Sequence, residues 1–234
     1  MARAARTLTP VTLELGGKNP VFIDDAMDDA FLAVVVKEIV RTKQYFAGEF
    51  CQSHDYCLVA VGIWDRFITA LKAEINALGE RRLVRLINER QYERVKAMLT
   101  SHHGDNLPPL SSDTAASDGS WMLPVTAVVE PYESDLLMQE EVFGPLLPVR
   151  RVASIADAIA YVKASPTGKP LVSYYYGHST DNSNAYAAGG AAPRVPPSVR
   201  RLRTARTLPA PLWQWPKAAC VAGAMSCALL YVLL

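Results

Sequence analysis

"NPVFIDDAMDDAFLAVVVKEIVRTKQYFAGEFCQSHDYCLVAVG", residues 19–62, holds an extended apolar piece, a helix-length run and a second apolar piece in one continuous stretch. "NPVFID" (19–24) reads as extended chain. From residue 24 to 46, Phe31, Leu32, Val35, Val36, Ile39 and Val40 recur at helical spacing, and the aspartates ahead of them can cap a helix and complement its dipole. "YCLVAVG" (56–62) is a strand. Between helix and strand lies a polar loop carrying Gly48 and Cys51.

The alternation continues outward. "IWDRFITALKAEINAL" (63–78) is an amphipathic helix with Ile63, Phe67, Leu71, Ile75 and Leu78 on one side. "VRLINERQYERVKAMLTSH" (84–102) has the pattern of another, and "SIADAIAYVKAS" (154–165) is a capped helix. "WMLPVTAVV" (121–129), the end of "EEVFGPLLPVRRV" (140–152) and "KPLVSYYYG" (169–177) read as strands. "VTLELGG" (11–17) reads as a short strand running into a glycine turn, and 104–120 as a surface loop. Strands alternating with helices predict an α/β fold, a mostly parallel sheet with flanking helices.

The 234 residues suit one or two domains, with enough chain to bury a core without disulfides. A formal net charge of +1 argues against a nucleic-acid partner. Asp181 is the last side-chain carboxylate, and five arginines follow it. Residues 181–211 therefore read as a basic Pro/Ala/Arg-rich linker, disordered in character. Residues 212–234 read as a hydrophobic tail, a candidate membrane anchor. Its uncharged part, 218–234, would span roughly 26 Å as a helix against a bilayer core of about 30 Å. A cryptic tail with no role is the other reading. With four cysteines and no secretory leader pattern, a reducing, cytosolic setting is expected.

Cys51 admits three readings. As a metal ligand it would join His54 and Cys57, but a structural zinc site wants four ligands and the second pair is absent, so no metal is expected. Cys57, Cys220 and Cys227 suit a buried apolar role. Cys51 sits instead in a polar loop between rigid elements, where reactive groups concentrate. A nucleophilic thiol also needs a base, and Glu14, ahead of Gly16 and Gly17, is a candidate. An ordinary surface glutamate is the alternative.

Three ordered segments bear on the choice. "TPVTLELGGKNP" (9–20) resembles the glutamate motif of the aldehyde dehydrogenase superfamily, and its class 3 branch most. "FAGEFCQSHDYCL" (46–58) resembles the cysteine segment, and "MQEEVFGPLLPV" (138–149) the E-x-F-G-P segment. The likeness runs to about residue 180, so residues 1–180 read as part of a catalytic domain of that family. It implies Cys51 as nucleophile, Glu14 as the base for hydrolysis, and Glu141 and Phe143 as the residues that position NAD or NADP. A turn acid and a packing aromatic are the plain readings of Glu141 and Phe143. The implied reaction oxidises an aldehyde to a carboxylic acid through a cysteine thiohemiacetal and thioester. Homo- or hetero-oligomers with family members are the implied partners.

The family's nucleotide-binding domain lies mostly ahead of the glutamate motif, and no G-x-G-x-x-G occurs in this sequence. Glu49 stands where the family has glutamine, and a carboxylate there is expected to disfavour the Cys51 thiolate. The alternative function is therefore a catalytically inactive family member acting in binding or at a membrane.

Overall fold

The computed structural model describes residues 1–13, 16–109, 119–167, 170–189 and 230–233. After a short N-terminal helix, α1 (Ala2–Ala5), the chain enters β1 (Pro20–Ile23), α2 (Asp29–Gln44) and β2 (Tyr56–Ala60). Then follow α3 (Trp64–Ala77), β3 (Leu83–Arg85), α4 (Glu89–Thr100), β4 (Asp105–Leu107), β5 (Met122–Pro124) and β6 (Thr126–Val129). The remaining elements are α5 (Leu136–Gln139), β7 (Leu146–Val152), α6 (Ile155–Ala164), β8 (Ser173–Tyr176), α7 (Thr180–Ala188) and β9 (Leu230–Leu233).

The main sheet has seven strands in the order β4-β6-β7-β2-β1-β8-β9. All pairs are parallel except β4 with β6. At its centre Val21 lies in register with Cys57 on one side and Tyr174 on the other. β1 and β2 are buried along their whole length, which explains why they read as unbroken apolar runs rather than alternating ones. β3 and β5 make a separate antiparallel pair.

The helices form where capping and periodicity agree. Asp28 caps α2 by accepting the Phe31 N–H at 2.8 Å, and Leu32, Val35, Val36, Ile39 and Val40 are buried. α3 buries Phe67, Leu71 and Ile75 and packs on α2. Elsewhere in the core Phe22 stacks on Tyr175 and on Tyr186 of α7, with centroids 5.9 Å apart in each case. Such pairs add about 0.5–1.5 kcal/mol beyond area burial.

Several expectations change. Residues 11–13 form no strand: Val11 and Leu13 are exposed, and no strand among the described residues pairs with them. The stretch 84–102 divides into β3 and α4, with Asn88 capping the helix through the Gln91 N–H. The loop 104–120 begins with a strand, β4, at the sheet edge. α7 carries regular structure past residue 180, where Tyr186 is fully buried. Of the hydrophobic tail, residues 230–233 are strand rather than helix and pair with β8, whose edge would otherwise be open. The rest of that tail, and most of the 181–211 segment, lie outside the described residues. Among the described residues no helix is long and apolar enough to cross a membrane.

Candidate active site

Cys51, Glu141 and Phe143 lie in loops at the amino ends of the parallel strands. The segment before β1 supplies Lys18 and Asn19, the loop before β2 supplies Cys51, and the loop before β7 supplies Glu141 and Phe143. Parallel pairing brings those loops together at one edge.

The Cys51 loop owes its path to an abrupt turn after α2. Phe46, Ala47 and Gly48 all have positive φ, at 48°, 54° and 74°. A Cβ on Gly48 would overlap the Gly144 carbonyl, so the cysteine loop and the 137–144 segment touch backbone to backbone. Asn19 then fixes the loop from the other side. Its amide donates to the Cys51 carbonyl at 2.8 Å and to the Ser53 carbonyl at 3.1 Å, while its Oδ1 accepts the Val172 N–H at 2.9 Å. Cys51 itself is half-buried and is not in a disulfide.

The second anchor is a buried ion pair between Lys18 and Asp55. Lys18 Nζ also donates to the Leu137 carbonyl at 2.7 Å and the Glu140 carbonyl at 2.9 Å. Asp55 Oδ1 accepts the Val142 N–H at 2.9 Å. The remaining lone pairs and protons of the pair are thus used on backbone, the condition under which a buried pair is tolerated. From α4, the Arg94 guanidinium reaches the carbonyls of Glu141 at 3.2 Å, Val142 at 2.6 Å and Phe143 at 3.4 Å.

The Glu141 carboxylate lies against the Gly16–Gly17 turn, within 2.6 Å of where a Cβ on Gly16 would fall, and accepts the Gly17 N–H. Burial, with the Asp55 charge nearby, lifts its carboxyl above the ordinary glutamate range. Phe143 adopts a left-handed φ of 43° and, with Phe46, Glu49, Arg85, Leu86 and Ile87, lines an open pocket of about 450 Å³. Glu49 Oε2 accepts the Ile87 N–H at 2.9 Å, whereas its buried Oε1 has no hydrogen-bond partner among the described residues. Burial raises the Glu49 carboxyl as well. Glu14 lies outside the described residues.

The other cysteine-segment residues have structural positions. His54 is buried between Thr42 Oγ1 and Tyr176 Oη, each at 3.0 Å, and burial pushes its imidazole down to about 3. Cys57 is buried in β2 with its thiol pushed up to about 12. Both therefore remain neutral at ordinary pH, and among the described residues no group of three or more His, Cys, Asp or Glu side chains could hold a metal.

The family model for the aldehyde dehydrogenase family matches residues 1–189. The chain belongs to the aldehyde dehydrogenase family. It is 34% identical over 186 residues to human "Aldehyde dehydrogenase family 3 member B1", covering 77% of this chain and 37% of that protein. A "Probable coniferyl aldehyde dehydrogenase" of Pseudomonas aeruginosa is 36% identical over 187 residues, covering 76% and 37%. The chain thus spans well under half the length of these aldehyde dehydrogenases. Lactaldehyde dehydrogenase from Escherichia coli superposes with a TM-score of 0.67 at 26% identity, over 82% of this chain and 41% of that one. A substrate-bound Staphylococcus aureus AldH gives 0.66 at 27% identity, over 80% and 40%.

Sequence reasoning named Cys51, Glu141 and Phe143 but passed over the groups that hold them. Lys18 and Asn19 lay inside the quoted glutamate segment, and a charged residue directly ahead of a wholly apolar strand, as Asp55 is, signals a buried polar anchor. Nothing local to Arg94 marks it, because its partners lie 47 to 49 positions away.

Proposed function

We propose that this chain carries the thiol and cofactor-facing part of an aldehyde-oxidising enzyme that converts an aldehyde to a carboxylic acid with NAD(P)+. The observation that carries the proposal is the direct contact of the cysteine loop with the Glu141–Phe143 segment, fixed by Asn19, Lys18 and Asp55. That arrangement puts a half-buried thiol and an aromatic-walled pocket on one sheet edge. The pocket suits one end of a dinucleotide, because Phe46 and Phe143 offer apolar ring surface there. Phe143, on the pocket wall, would face the nicotinamide, and Glu141, against the Gly16–Gly17 turn, would hold the ribose.

In this reading the Cys51 thiolate adds to the aldehyde carbon to give a thiohemiacetal, and the Cys51 backbone N–H donates to the oxyanion. Glu141 and Phe143 would orient a bound dinucleotide, which would supply the hydride acceptor. The acyl group is left on sulfur as a thioester, and Glu14 takes a proton from the water that hydrolyses it. Sulfur serves both steps because a thiolate is a strong nucleophile and a workable leaving group. We place the reaction in a reducing, cytosolic setting, where thiols persist unoxidised.

Purified chain, NAD+ and a fatty or aromatic aldehyde should produce NADH, and Cys51→Ala should abolish it. Equal silence of the two proteins would defeat turnover by this chain. A non-catalytic role is the second reading, and the desolvated Glu49 carboxylate two residues before Cys51 favours it, since a negative charge there opposes the thiolate. Clear NAD+ binding in a calorimetric titration counts against that reading.

A further inference from the structure

Seven backbone and side-chain bonds hold the segment from Leu137 to Phe143, and they come from separate directions. Lys18 takes the carbonyls of Leu137 and Glu140, Asp55 takes the Val142 N–H, and Gly17 donates to the Glu141 side chain. The three successive carbonyls of Glu141, Val142 and Phe143 converge on one group, the Arg94 guanidinium. Gln91 orients that group by accepting from Arg94 Nε at 2.7 Å.

Three features separate this contact from an ordinary surface arginine. Arg94 makes no ion pair among the described residues, so its charge is directed to backbone dipoles. Its neighbour Val95 is fully buried, and a Cβ on Gly144 would fall 2.9 Å from both Val95 methyl groups, so α4 rests directly on this segment. Phe143, whose carbonyl Arg94 contacts, sits in the left-handed region that a bulky residue enters only at a cost of about 1–2 kcal/mol. A planar guanidinium with fixed donor directions can hold three adjacent carbonyls in one arrangement, which a flexible ammonium cannot.

We propose that Arg94 is a positioning residue: it sets the backbone of residues 141–143, and through it the placement of Glu141 and Phe143 against the cysteine loop. This rests on the proposed function for its catalytic meaning. Lys18 and Asp55 fix the segment on the sheet side, and Arg94 fixes it on the α4 side. Without Arg94 the strained Phe143 backbone relaxes and its ring leaves the pocket wall, while Cys51, held by Asn19, stays in place.

The test uses the full chain with Arg94→Gln and Arg94→Lys, each checked by circular dichroism and thermal melting. Hydrogen exchange at the amides of residues 141–144 should speed by about tenfold or more in Arg94→Gln and less in Arg94→Lys, with the amides of β2 unchanged. Alkylation of Cys51, read on its own peptide, should stay within about twofold of wild type. The KM for NAD+ should rise by up to about a hundredfold while the KM for aldehyde holds, a split that a general loss of stability would not produce. Unchanged exchange at 141–144, or faster exchange spread evenly over the chain, overturns the proposal. So does an equal rise in both KM values. A wild-type chain that neither binds NAD+ nor oxidises aldehydes defeats the proposed function instead, and the exchange measurement then decides for or against Arg94 alone.

Discussion

Lys43 is a buried ammonium on α2. It sits in the last turn of that helix, and among the described residues its Nζ has no hydrogen-bond partner. Burial, opposed by the Asp55 charge and reinforced by Lys18, pushes its ammonium from 10.5 down to about 8. The sign follows from linkage. A base with a lowered folded pKa contributes its full stability above the unfolded value, and that contribution is lost as pH falls through the folded one. At pH 7 the ammonium is therefore charged in both states and costs the folded one. The drop from 10.5 to about 8 corresponds to about 3 kcal/mol at about 1.36 kcal/mol per pKa unit. Lys43→Met keeps the length of the chain and removes the charge. Its urea midpoint should exceed wild type at pH 7, and the gap should narrow above about pH 8 as wild type sheds its proton. An equal or lower midpoint at pH 7 would mean that the ammonium has a compensating partner.

At the level of elements, the contact between Gly48 and Gly144 joins the cysteine loop to the Glu141–Phe143 segment. Gly48 and Gly79 both have positive φ, at 74° and 55°, but a Cβ at Gly79 would meet nothing within 4 Å. Alanine at either position bears the left-handed cost of about 1–2 kcal/mol. Only Gly48→Ala also drives a Cβ into backbone, where nothing can rotate aside. Gly48→Ala should therefore destabilise clearly more than Gly79→Ala in a denaturant titration, and it alone should weaken aldehyde oxidation. The same elements show what a sequence discloses. α2, α3 and α6 were legible because Leu32, Val35 and Val36, or Phe67, Leu71 and Ile75, repeat at the period of the face they bury. The family itself was legible from three motifs in order, because each motif is local in sequence. Of the strand expected at 11–17, residues 11–13 are not strand, because apolar alternation signals a strand only when a partner is there to pair with it, and Val11 and Leu13 are exposed. Asp55 and Arg94 act on backbone 87 and 47 to 49 positions away, and no period or spacing encodes a distance of that kind.

Across the whole molecule, the two ends of the sheet do different work. The amino ends of the strands carry the candidate site, while at the carboxyl ends Asp24 accepts from Tyr175 Oη and from Asn182 at 2.9 Å, tying β1 to β8 and α7. Between them His54 spans the layers: it bonds Thr42 of α2 and Tyr176 of β8 and lies edge-on to Tyr174 with centroids 4.2 Å apart. Its imidazole is pushed from 6.5 to about 3, chiefly by burial and then by the Lys43 charge, so the folded protein holds it neutral. Its stabilising contribution is fully present above about pH 6.5 and drains away as pH falls toward about 3, because the unfolded chain takes up the proton first. Glu141 and Glu49, whose carboxyls are raised, act in the opposite sense: their ionisation costs stability at neutral pH, and protonation in acid relieves it. The midpoint of urea unfolding should accordingly begin to fall below about pH 6.5, ahead of the usual carboxylate range. His54→Gln retains a donor and an acceptor for Thr42 and Tyr176 but has no proton to gain. Its midpoint should lie below wild type at pH 7.5 and change little between there and pH 5, so that the two curves approach one another in acid. Parallel curves over that interval would show that the imidazole takes up its proton as readily in the folded protein as in the unfolded chain, against a lowered folded value.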